Sequence, residues 1–203
     1  VHVSGINQGM HDDLRVANDY ASALSTAAML SDVGYEVVLS ASRQEAIDVA
    51  HYAYTRKTKR AFVHIFDGAY AACERSVLSP PSSKAPEPCT YTGPSAPATA
   101  LVMPHGAMSH RARALLLSLP PHLRGKVGIV SVRRLGSWDA AVLRRAVPTS
   151  VQTLRVVEEA FSSTDGALYA DVLESVLSGA LRGVRAQSLV LAPGQALCPE
   201  AWH

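Results

Sequence analysis

The chain has 203 residues, of which 48% are apolar and 18% charged, and its formal net charge is +2. That balance belongs to a packed globule long enough for two compact units and excludes a disordered tail. So small a net charge gives no case for nucleic acid, and no apolar run approaches the roughly 20 residues that span a bilayer, so a cytoplasmic protein without membrane or nucleic-acid partners is expected.

The opening Val1-His2-Val3-Ser4-Gly5 has the pattern of a strand and turn rather than of a leader, and the chain is expected to be cut from a longer one. Ala17 to Ser31 is predicted as a helix ending near Gly34, with Tyr35 to Leu39 as the strand after it. Ser42 and Glu45 form a capping box for the next helix, in which Ala46, Ile47, Ala50, Ala53 and Tyr54 recur at helical spacing. Arg56, Lys57, Lys59 and Arg60 suit its C-terminal end. Ala61 to Phe66 is predicted as a buried strand closed by Asp67-Gly68.

From Ser79 to Pro97 there are six prolines, and proline neither donates to a ladder nor sits inside a helix. The expected division is a first unit over 1–78, a Pro-rich connector over 79–98 and a second unit over 99–203. In the second unit Ala100 to Met103, Val127 to Val132, Thr153 to Glu158 and Ser188 to Ala192 are predicted strands. Ser109 to Leu119, Trp138 to Ala146 and Ala167 to Leu181 are predicted helices, the last capped by Gly183. Alternating strands and helices with Val-rich strands indicate an α/β fold of two units, each a doubly wound, mainly parallel sheet with flanking helices.

Ligands of such sheets bind beyond the carboxyl ends of the strands. Neither GxGxxG nor GxxxxGK[ST] follows any predicted strand, so no nucleotide site is supported. His105-Gly106, between a strand and a helix N-terminus, is the candidate anion turn. Asp165, Thr164 or Ser163 is expected to cap the long helix. His11, Asp12 and Asp13 form a polar cluster with metal-binding groups, against a solvated loop as the default. HxH, HExxH and GxSxG are absent, and Cys73, Cys89 and Cys198 form no CxxC pair, which fits buried thiols in a reducing compartment. No catalytic, cofactor-binding or metal residue is therefore assigned. Residues 110–145 hold eight basic side chains against Asp139 alone, and Arg133, Arg134, Arg144 and Arg145 are the candidate docking face.

Gly34 to Ala50, with Ser42-Arg43-Gln44-Glu45 at a helix start, followed by Phe62 to Gly68 with its closing Phe66-Asp67-Gly68, resembles the end of the first domain of pyruvate:ferredoxin oxidoreductases. Gly125 to Arg133 with Leu143 to Pro148 is similar to that family's second domain, whose transketolase C-terminal-like fold the second unit would share. Ala17 to Leu24, with Asn18-Asp19-Tyr20, resembles the N-terminal region of the NADPH-dependent sulfite reductase flavoprotein subunit, where a degenerate oxidoreductase-like region precedes the flavin domains. Ser31 stands where the pyruvate enzymes carry a substrate-binding arginine, and Ala69-Tyr70-Ala71-Ala72 replaces their Arg-Thr-Ser-His run.

The resemblance implies a non-catalytic scaffold and docking region of a multidomain NADPH-dependent flavin oxidoreductase, with FAD or FMN and NADPH bound elsewhere in the full-length protein. Its partners would be other domains of the same polypeptide and an acidic redox protein, with a homodimer left open. The alternatives are a fragment of an active thiamine-dependent 2-oxoacid:ferredoxin oxidoreductase and a binding module that uses the basic face alone.

Overall fold

The computed structural model describes residues 1–4, 7–9, 17–19, 27, 29–58, 60–68, 74–135, 139–159, 166–192 and 197. In chain order its elements are β1 (His2–Ser4), β2 (Asn7–Gly9), β3 (Ala17–Asp19), β4 (Glu36–Ser40), α1 (Arg43–Thr55), β5 (Phe62–Phe66), β6 (Cys89–Thr92), β7 (Thr99–Pro104), α2 (Ala107–Ser118), α3 (Pro121–Arg124), β8 (Val127–Val132), β9 (Arg134–Leu135), α4 (Ala140–Ala146), β10 (Thr153–Glu159), α5 (Ala167–Leu177) and β11 (Arg185–Leu191).

Two mixed, mainly parallel sheets flanked by helices result, so the fold is α/β as expected. The first sheet has the order β1-β5-β4-β9 and the second β11-β10-β7-β8-β6. Within these two sheets, among the described residues, the edge strands β9 and β6 alone run antiparallel to their neighbours, and β2 and β3 form a separate antiparallel pair. Every residue of β8 is buried, as a parallel strand covered on both faces requires. Side chains of β7 alternate between two cores: Ala100 and Val102 belong to the core that also holds Val37, Leu39, Val63 and Ile65 of the first sheet, while Leu101 and Met103 belong to the one that holds Ala112 and Leu116 of α2. The period of two along a strand thus joins the sheets through one shared core.

Three expectations change. Ala17–Asp19 is not helical but pairs antiparallel with Asn7–Gly9, and in the predicted helix region residues 29–32 are helical. Asn18 and Asp19 are poor interior helix residues because their side chains compete for backbone hydrogen bonds. Within the expected connector, Cys89–Thr92 forms an edge strand on β8; Cys-Thr-Tyr-Thr is free of proline and rich in β-formers, and an edge position needs a partner on one side only. The long helix stops at Leu177, four residues early, because Gly179 at φ 79° supplies the left-handed residue that ends it. Gly183, also left-handed, belongs to the turn before β11.

Candidate functional site

Glu45 stands in the first turn of α1, held by local capping. Its own N–H donates to Ser42 Oγ at 3.2 Å, and its Oε2 accepts the Ala41 N–H at 2.8 Å. The box therefore closes one residue upstream of the usual amide. This leaves the carboxylate facing the carboxyl ends of β7 and β8. His105, just after β7, places Nε2 2.7 Å from Glu45 Oε2. Arg133, just after β8, donates from Nη2 to Glu45 Oε1 at 2.5 Å. Burial alone would raise the Glu45 pKa, but the His105 hydrogen bond, the charges of His105 and Arg133 and the Ala41 amide overcome it and bring it to about 2. So acidic a carboxyl is a poor general base at neutral pH. His105 is 1% exposed and its Nδ1 is buried without a partner, so it presents no group to solvent.

A second buried carboxylate repeats the pattern. Glu36 opens β4 at 4% exposure and accepts Arg56 Nη1 at 2.5 Å and Arg134 Nη2 at its other oxygen. Arg56, expected to serve the C-terminal dipole of α1, also lies over the Phe62 ring at 4.5 Å. The consecutive Arg133 and Arg134 thus reach two different acids of the first unit. Backbone pairing reinforces them, since Leu39 N–H donates to Arg133 O at 2.7 Å and Val38 pairs with Arg134. Residues 133–135 therefore staple one sheet to the other.

The His105-Gly106 turn points most of its polar groups inward, while His105 Nδ1 has no partner among the described residues. Its histidine meets Glu45, the Gly106 N–H donates to Ser109 Oγ at 3.1 Å, and the Ser109 hydroxyl donates to Gly106 O at 2.9 Å. Nearby on α2, Arg113 Nη2 donates to Ser131 Oγ at 3.2 Å. The His110 pKa is lowered by burial and then by the charges of His105 and Arg113, which outweigh Glu45 and Glu74.

At the carboxyl end of β10 the same self-sufficiency recurs. Glu158 accepts the Leu168 and Tyr169 N–H groups, each at 2.9 Å, and so caps α5 from the neighbouring strand. Gly166 permits this approach: a Cβ there would come within 2.3 Å of the Glu158 carboxyl. The expected caps Asp165, Thr164 and Ser163 lie outside the described residues, as do His11, Asp12, Asp13, Cys73 and Cys198. Burial pushes the Cys89 thiol up to about 12, which leaves it unreactive. Among the described residues no group of three His, Cys, Asp or Glu side chains could hold a metal ion.

The four arginines singled out in the sequence do not form one face. Arg133 and Arg134 lie at the carboxyl end of β8 in ion pairs with Glu45 and Glu36. Arg144 and Arg145 are exposed on the last turn of α4, while Leu143 between that turn and the core is fully buried. Sequence reasoning saw Glu45 only as a cap and missed Glu36. A signal for Glu36 was present: an acid inside the apolar run Tyr35-Glu36-Val37-Val38-Leu39 needs a buried cationic partner.

No family model matches the chain, and no curated protein matches it.

Proposed function

We propose that this chain is a non-catalytic scaffold and docking region of a multidomain NADPH-dependent flavin oxidoreductase of the sulfite reductase flavoprotein type. One observation carries the reading. At the carboxyl edges of the sheets, where α/β proteins bind their ligands, the chain's own groups meet one another: His105 Nε2 and Arg133 Nη2 reach Glu45, the Gly106 N–H reaches Ser109, and the α5 amides reach Glu158, while His105 Nδ1 and Arg133 Nε stay buried without a partner among the described residues. A region built this way contributes shape and position, and electron transfer depends on how cofactors are positioned. FAD or FMN and NADPH then belong to other domains of the same cytoplasmic polypeptide, and the partner to be positioned is an acidic redox protein. Among the described residues no helix is long and apolar enough to cross a membrane.

The test uses the full-length polypeptide with and without this region. NADPH should reduce the bound flavin equally well in both, while electron delivery to the partner falls when the region is deleted. Equal loss of both steps would contradict a positioning role.

A further inference from the structure

Residues 140–157 and 175–191 together contain five arginines and neither an acidic nor an aromatic residue. The fold brings the two segments side by side at the amino-terminal edge of β10 and β11, opposite the edge that holds Glu45 and Glu158. The turn before β10 and the turn before β11 enclose a groove of about 520 Å³. Arg144 and Arg182 stand on its rim, and Val147, Val151, Leu181 and Val184 contribute apolar surface to its lining. No acidic side chain lines it. Arg145 and Arg185 directly follow the lining residues Arg144 and Val184 in the chain, and all four of these arginines are exposed. None of the four enters an ion pair among the described residues.

Helix C-termini favour cations, which accounts for Arg144 and Arg145 on the last turn of α4. It does not account for Arg182 and Arg185, which lie beyond the last turn of α5. Arginines without an ion pair among the described residues, around a groove of mixed polar and apolar lining, complement a segment carrying the opposite charge and an apolar anchor. Nucleic acid fits less well, because single strands need aromatic faces on which to stack and both segments lack them.

We infer that this groove docks an acidic protein segment that inserts apolar side chains between Arg144 and Arg182. The inference rests on the scaffold reading and gives its docking function an address distinct from Arg133 and Arg134.

The test is fluorescence anisotropy of the whole chain with a labelled peptide of about 12 residues, Glu and Asp around a central Leu pair. Binding is expected to weaken about tenfold between roughly 50 and 300 mM salt, and about tenfold again in R144E/R182E. Methyl resonances of Val147, Leu181 and Val184 should shift on titration, a readout that needs no variant. A peptide with Ser in place of Leu should bind about fivefold more weakly, and one with Lys in place of the acids should not bind. Absence of acidic-peptide binding at low salt, equal affinity for the Ser peptide, or an unchanged affinity in a folded R144E/R182E would overturn the proposal. So would tighter binding of a 20-nucleotide single strand, about that length being ample for a basic channel. Peptide capture together with tight cofactor binding would support the groove while overturning the scaffold reading.

Discussion

Arg133 and Glu45 are 88 residues apart in the chain, and their side chains meet at 2.5 Å where the two sheets join. Removing either partner strands a largely buried charge. E45Q or R133Q is expected to lower unfolding free energy by about 2 kcal/mol, less than a fully buried pair because the Glu45 side chain keeps 27% of its surface exposed. Denaturant unfolding of both singles and the double checks this. Coupling above about 1 kcal/mol is the expected result, and additive losses would show that the pair does not act as a unit.

Acid should destabilise the protein in two stages. Burial, then His2 and the N-terminal ammonium, lower the His64 pKa from 6.5 to about 4. The native state holds this imidazole neutral, so its contribution is complete above 6.5 and is lost as pH falls toward 4. Glu45, at about 2 against an ordinary 4.5, contributes fully above 4.5 and loses its effect as pH falls through 2. Melting temperature against pH should therefore slope less steeply between 6.5 and 4 in H64Q; an unchanged slope would remove His64 from the account.

Asp171 has the opposite sign. Burial, followed by Glu174, Asp32 and Glu158, raises its pKa from 3.8 to about 6. Its neutral form suits the fold, so stability present below 3.8 declines as pH rises through 6. D171N should gain about 1 kcal/mol at pH 7.5 and nothing near pH 4. Equal gains at both pH values would point to packing rather than charge.

Gly166 and Glu158 make a further test. An alanine Cβ would displace the carboxylate from the Leu168 and Tyr169 amides, at a cost of about 2 kcal/mol in thermal unfolding. Because both changes remove one interaction, E158A/G166A should lose little more than E158A alone. A full second loss in the double variant would show that Gly166 matters for another reason.

The strands were legible because their burial is written in composition: Val127 to Val132 could be read directly, and β8 has those bounds. Boundaries set by backbone conformation were harder. Gly179 and Gly183 are both left-handed, and nothing local tells which one ends the helix. The strand Cys89–Thr92 was hidden by the surrounding prolines, since an edge strand depends on a partner 40 residues later. The candidate site was least legible for the same reason. Glu36, Glu45, Arg133 and Arg134 each have a bland local reading, as strand, cap or surface charge, and only the juxtaposition of two sheets makes them pairs. Charge clustered along the sequence, 110–145, therefore divided in space: Arg133 and Arg134 became internal staples, and Arg144 joined Arg182 at the other edge.

The central claim is that the carboxyl edges of these sheets, where Glu45 and Arg133 line a cavity of about 220 Å³, bind no thiamine or flavin cofactor. Isothermal titration of the chain with thiamine diphosphate and Mg²⁺, and separately with FAD and FMN, tests it most directly. The account predicts no saturable heat at ligand concentrations up to about 100 μM. A 1:1 isotherm in the low micromolar range, about −8 kcal/mol, would contradict it.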